Sequence, residues 1–138
     1  MADTEPPASG APVLHVCVTC RAGRELAEGE TSPGRLFHAA VAALLELNPV
    51  AELREVVCLS SCDHGCAAAI SSPGKWTYLL GRLNPALAPD FFQYVSLYAA
   101  SRTGTVLPSK RPASLARMVL GRMPDLTDIA VPQKDLVA

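Results

Sequence analysis

Cys58-Leu59-Ser60-Ser61-Cys62-Asp63-His64-Gly65-Cys66-Ala67-Ala68-Ala69-Ile70-Ser71-Ser72-Pro73-Gly74-Lys75-Trp76-Thr77-Tyr78-Leu79-Leu80-Gly81-Arg82-Leu83 carries the most telling pattern of the chain. Residues 66–71 and 76–80 read as two short strands. Ser72-Pro73-Gly74-Lys75 between them carries the proline and glycine of a tight reversal, so the pair is a hairpin. Residues 59–65 form a short loop between cysteines, and 52–58 read as a strand running into it.

Working outward, 35–47 has the clearest helical period. Leu36, Phe37, Ala40, Val41, Leu44 and Leu45 fall on one stripe, Ser32 is placed to cap it with Pro33 in the first turn, and Asn48-Pro49 ends it. Upstream, residues 13–19 are apolar and β-branched and read as a strand, followed by a glycine-rich loop over 21–34. Downstream, a second helix is expected over 89–102, burying Phe92, Val95 and Ala99, with Gly104 just past its end. A short helix is expected over 113–120. The order β-α-β-β-β-α is that of a small α/β layer, a sheet with helices packed on it. Residues 1–12 read as a disordered arm, 13–104 as the domain, and 105–138 as a C-terminal extension.

The totals narrow the function. At 138 residues, 49% of them apolar, the chain suits one domain that needs no disulfide to fold. A net charge of −1 gives no nucleic-acid signature. No apolar run approaches the ~18 residues of a membrane span. The first ten residues hold acids and prolines where a signal peptide needs a positive end and an apolar block, so a cytoplasmic protein is expected. Thiols stay reduced there, and the five cysteines point to metal or redox chemistry.

Those cysteines lie in two clusters, Cys17-Val-Thr-Cys20 and Cys58-Leu-Ser-Ser-Cys62-Asp-His-Gly-Cys66. If the first two strands are neighbours, as a β-α-β unit suggests, both clusters arrive at one edge of the sheet. Four thiolates from two loops, Cys17, Cys20, Cys58 and Cys62, are what a 2Fe–2S cluster requires, two on each iron. Small neighbours such as Ser60, Ser61 and Gly65 let backbone N–H groups approach the sulfurs.

The C-x3-C pair, the hairpin and the Leu79-Leu80-Gly81-Arg82-Leu83 exit resemble the second half of the thioredoxin-like 2Fe–2S ferredoxins and of the small iron–sulfur subunit of NADH:quinone oxidoreductase. The resemblance covers about residues 13–102. It implies a thioredoxin-like α/β fold, a 2Fe–2S cofactor on those four cysteines, and an electron carrier rather than a stand-alone enzyme, and it is compatible with a homodimer. Val16-Cys17-Val18-Thr19-Cys20-Arg21 also resembles the V-C-x-x-C-R of a bacterial family of predicted metal-binding proteins of unknown function. One departure is the first pair, in which only two residues intervene where the ferredoxins have four or more. Cys66 falls where they have a proline, so it is read as a spare.

Other readings stand beside this one. The same four cysteines could hold structural zinc or pass on a metal such as cobalt, although the 37 residues between the clusters (21–57) exceed the usual zinc-ribbon gap of ~15–20. Cys17 and Cys20 could be a redox dithiol, but the strong helix starts too far downstream to activate the first thiol. His64 could replace a thiolate, as in Rieske centres, but reads more simply as a surface residue. No phosphate-binding loop, nucleophile elbow or H-E-x-x-H is present. Residues 102–122 carry Arg102, Lys110, Arg111, Arg117 and Arg122 with no acid. That stretch reads as a solvated surface or as a docking site for an acidic redox partner.

Overall fold

The computed structural model describes residues 11–125. The expected N-terminal arm therefore lies almost wholly outside the described residues, as does the end of the extension. The elements are β1 (Val13–Cys17), α1 (Pro33–Leu47), β2 (Glu52–Val56), β3 (Ala68–Ser71), β4 (Thr77–Leu80), α2 (Ala88–Ala100) and β5 (Val119–Met123). They form one five-stranded sheet in the order β2-β1-β3-β4-β5. β1 and β2 are parallel, and every other pairing is antiparallel. This is the α/β architecture expected from the order of elements.

The core follows from strand alternation. Leu14, Ile70 and Tyr78 share one row across the sheet, and Val16, Ala68 and Leu80 the next. All six are buried. The two helices pack together over this face. The Phe37 and Phe91 rings meet edge to face at 5.2 Å, and Tyr98 of α2 meets Tyr78 at 6.3 Å. α1 buries Phe37, Val41 and Leu45 as its period requires. Leu36, counted in the same stripe, stays 46% exposed.

α2 departs from its expected register. It buries Phe91, Tyr94, Val95 and Tyr98, with Phe92 and Ala99 only half-buried. Two tyrosines go inside because their large rings fill the core, even though among the described residues the Tyr94 hydroxyl finds no partner. Tyr98 donates to the Trp76 carbonyl at 2.6 Å.

The second departure is larger. The expected helix over 113–120 is one 3-10 turn, Ala113–Leu115, followed directly by β5. Leu115 and Met118 are buried anchors, and the Gly81 N–H donates to the Met118 carbonyl at 2.8 Å, drawing the chain alongside β4. Val119 is β-branched and suits a strand better than a helix, and Gly121 weakens any helix through this segment.

The strands leave the ladder early on one side of the sheet. β1 ends at Cys17, β2 at Val56, and β3 starts only at Ala68. Cys17 is the last residue of β1, and the other cysteines lie in the segments beyond the ladder. Among the described residues, no helix is long and apolar enough to cross a membrane.

Candidate metal and thiol site

Parallel pairing of β1 with β2 sets Cys17 opposite Val56. Antiparallel pairing of β1 with β3 sets Val16 opposite Ala68. The carboxyl ends of β1 and β2 and the amino end of β3 therefore meet at one sheet edge, and both cysteine clusters arrive there.

The first loop is held from three sides. The Cys17 N–H donates to the Ala67 carbonyl and the Val18 N–H to the Val56 carbonyl, each at 3.0 Å, tying it to both neighbouring strands. The third side is the start of α1. Ser32 Oγ donates to the Val18 carbonyl at 2.5 Å and accepts from the Arg35 N–H at 3.1 Å, so the helix cap is also a clamp on the loop. The Gly34 N–H donates to the Cys20 carbonyl at 2.9 Å. Gly34 has to be glycine, because a β-carbon there would stand 2.2 Å from the Cys17 carbonyl oxygen and 3.1 Å from Cys20 Cβ.

Under this clamp Cys17 is 3% exposed, Cys20 5% and Cys66 0%. Burial pushes Cys20 up to about 12, with the nearby Cys17 and Cys66 thiols adding to the rise. Burial likewise raises Cys66 to about 11, with Cys17 again contributing. Cys17 goes the other way. Burial acts to raise it, but hydrogen bonds with Thr19 and Cys20 outweigh that and leave it below an ordinary thiol. As a thiol it reaches the Val57 carbonyl at 3.3 Å, and the Thr19 hydroxyl donates to the same oxygen.

The second loop is open. Cys58 is exposed. The Ser60 N–H donates to its Sγ at 3.2 Å, with Ser60 turned to φ +57°, a left-handed conformation in which the amide points back at the sulfur. One 3-10 turn, Cys62–His64, follows. It is tied by the His64 N–H to the Ser61 carbonyl at 2.9 Å and by the Arg82 N–H to the His64 carbonyl at 2.6 Å. This turn faces the first loop, since Asp63 joins Cys17, Thr19, Cys20, Arg24 and Glu25 around a cleft of about 520 Å³.

Of the four expected ligands, the fold thus places Cys17 and Cys20 together and buried, and Cys58 exposed at the same edge. The Cys62 backbone starts the turn, but its side chain lies outside the described set. Among the described residues no three His, Cys, Asp or Glu side chains converge closely enough to hold a metal ion. Cys66, read as a spare, is near enough to the first pair that it helps to raise the Cys20 thiol and is itself raised by Cys17. Its place two residues before β3, antiparallel to β1, brings it there. The C-x3-C-x3-C spacing was the signal in the sequence. His64 is exposed, as expected of a surface residue.

Two solved structures are similar in fold. One is a thioredoxin-like 2Fe–2S ferredoxin from Aquifex aeolicus, with 15% identity over 83% of this chain and 96% of that one, at a TM-score of 0.52. The other is the 1.5 Å crystal structure of the wild-type thioredoxin-like 2Fe–2S ferredoxin from Aquifex aeolicus, with 16% identity, 80% and 97% coverage and a TM-score of 0.51. At such identity the likeness establishes the fold, which is thioredoxin-like. No curated protein matches the chain. A family model described as a protein of unknown function (DUF1636) matches residues 14–125, and the chain belongs to that family.

Proposed function

We propose that the chain is a small electron carrier of the cytoplasm that holds a 2Fe–2S cluster through Cys17, Cys20, Cys58 and Cys62. One observation carries the reading: β1 and β2 are parallel neighbours, so two cysteine-bearing loops leave the sheet at the same edge. The donor set fits. It is all sulfur, it comes from two loops, and one sulfur already receives a backbone N–H, from Ser60.

The cluster, when bound, supplies reversible one-electron chemistry. The chain's own residues hold and tune the thiolates. The α1 clamp keeps Cys17 and Cys20 in place, the Thr19 and Cys20 hydrogen bonds favour the Cys17 thiolate, and the Ser60 amide offsets charge on Cys58. Ligation also requires Cys20 to give up a proton that burial holds tightly, so cluster loading releases protons and is favoured by higher pH.

Anaerobic purification tests this. The expected result is about two iron and two acid-labile sulfide per chain, with absorption in the ~400–550 nm region. Stoichiometric zinc or cobalt without sulfide after anaerobic reconstitution would establish a metal-handling protein instead. Cys58→Ala and Cys62→Ala should each abolish assembly, and Cys66→Ala should keep a bound cluster. Because Cys66 lies with Cys17 and Cys20, loss of the cluster in Cys66→Ala with retention in Cys20→Ala would make Cys66 the fourth ligand.

A further inference from the structure

The five cations of residues 102–122, a single stretch in the sequence, are dispersed by the fold. Arg122 lies over the Trp76 ring at 3.9 Å, opposite Tyr78 and well along the sheet from the cysteine edge. Arg111 is half-buried near Tyr94. Arg102 follows α2, whose carboxyl end lies by Trp76 and so at the opposite edge. Arg117 is carried to the cysteine edge, because Val119 opposite Leu80 opens β5 there. A cation from outside the stretch meets it. Arg82 Nη1 donates to the Arg117 carbonyl at 2.9 Å.

We propose that Arg82 and Arg117 form the docking face for an acidic protein partner at the cysteine edge. As a deepening of the electron-carrier reading, it names the surface through which that partner approaches the thiols. Three observations carry it. Both side chains are exposed, and among the described residues the ion pairs are made by Arg24, Arg35 and Arg54, not by these two. The two border a cleft of about 280 Å³ with Ala113, Ser114, Ala116 and Met118, room for an incoming carboxylate side chain. Asp90, the acid beside that cleft, accepts the Ser114 hydroxyl at 2.6 Å, and Asp63 is exposed on the adjoining turn.

The third observation is the linkage to the thiols. The Arg82 N–H is bonded to the His64 carbonyl, and His64 closes the turn begun by Cys62. Arg82 holds φ +58°, a conformation disfavoured for any residue with a β-carbon. Such outliers persist where the surroundings over-determine them, often at recognition sites. Its guanidinium spends one of five N–H donors on the Arg117 carbonyl, which fixes the fork while leaving donors for a carboxylate.

The test uses the full chain titrated with poly-L-glutamate, followed by amide chemical shifts, with sodium pyrophosphate as a second probe. Shifts should concentrate in residues 63–66, 81–83 and 113–118. Arg117→Glu and Arg82→Gln should each weaken binding, the former about tenfold, whereas Arg102→Glu, with the same charge change as Arg117→Glu, should alter it less than about twofold. Binding should fade as ionic strength rises and the screening length falls toward ~8 Å. Equal losses in Arg117→Glu and Arg102→Glu would reduce the effect to net charge and overturn the proposal. So would shifts elsewhere, or pyrophosphate binding far more tightly than the polypeptide, which would mark a small-anion site. Iron and sulfide are measured on the same samples. A colourless protein that still binds the acidic probe at this face defeats the carrier reading but not the surface, and a red protein that does not bind it there defeats only the surface.

Discussion

The two cysteine loops share one sheet edge and differ in almost every physical respect. The first is tied to β2, β3 and the first turn of α1, and its thiols are nearly inaccessible. The second has an exposed cysteine, one amide-to-sulfur bond and a single 3-10 turn anchored through Arg82. One loop is part of the core, and the other is a flap laid against it. A site built this way has a preformed half and an adaptable half. On the proposed reading, loading a metal would order the second loop against the first.

Thiol reactivity should separate the two loops most strongly. In protein stripped of metal and kept reduced, Cys58 should alkylate on the order of a thousandfold faster than Cys20 and Cys66, which react only through opening of the fold. Cys17, with its lowered thiol, should fall between them. Site-resolved mass spectrometry reads the rates, and comparable rates at Cys58 and Cys66 would erase the distinction.

Gly34→Ala comes next. Its new β-carbon meets backbone at 2.2 Å, so the helix start or the cysteine loop must shift, at a cost of about 2–3 kcal/mol in denaturant unfolding. Gly121 has nothing within 4 Å of an added β-carbon, so Gly121→Ala is the control and should change stability by less than about 1 kcal/mol.

Alkaline pH separates the halves by a different route. Cys20 and Cys66 keep their protons in the folded chain up to about 12 and 11, while an unfolded thiol ionises near 8.5–9. Above that value the unfolded state binds fewer protons than the folded one, so the stability of the metal-free chain should fall as pH rises from about 9 toward 11. Cys66→Ala should flatten that decline.

Two smaller effects complete the series. Ser32→Ala removes the cap and the bond to the Val18 carbonyl and should cost about 1 kcal/mol. Ser60→Gly relieves a left-handed residue in the open loop and should be neutral or stabilising by up to about 1 kcal/mol, measured by thermal unfolding. A large loss at Ser60 would show that the second loop is as tightly built as the first.

Much of this fold was legible in local chemistry. Ser32-Pro33 starts α1, Phe37, Val41 and Leu45 give it a core face, and Pro73-Gly74 turns β3 into β4, all interactions within a few residues of each other. β1 and β2 could be paired because a helix between two strands favours a parallel crossover. What failed was decided at longer range. The segment 113–120 has weak helical character of its own and yields to the ladder offered by β4, and α2 rotates to place Tyr98 where the Trp76 carbonyl accepts its hydroxyl.

The order of elements and the α/β layer they build were readable from the chain alone, because period, caps and turns are local properties, whereas the thioredoxin-like class was an expectation from the resemblance and the shared edge of the two cysteine clusters one from the β-α-β order. Only the tertiary structure decided that Cys66 sits with Cys17 and Cys20 while Cys58 faces outward, and that Arg82 joins Arg117 as the stretch 102–122 disperses. The reason is the same for both. Which thiols are desolvated together, and which cations share a surface, depends on strand order and register, and these emerge only when segments dozens of residues apart pair through their backbones.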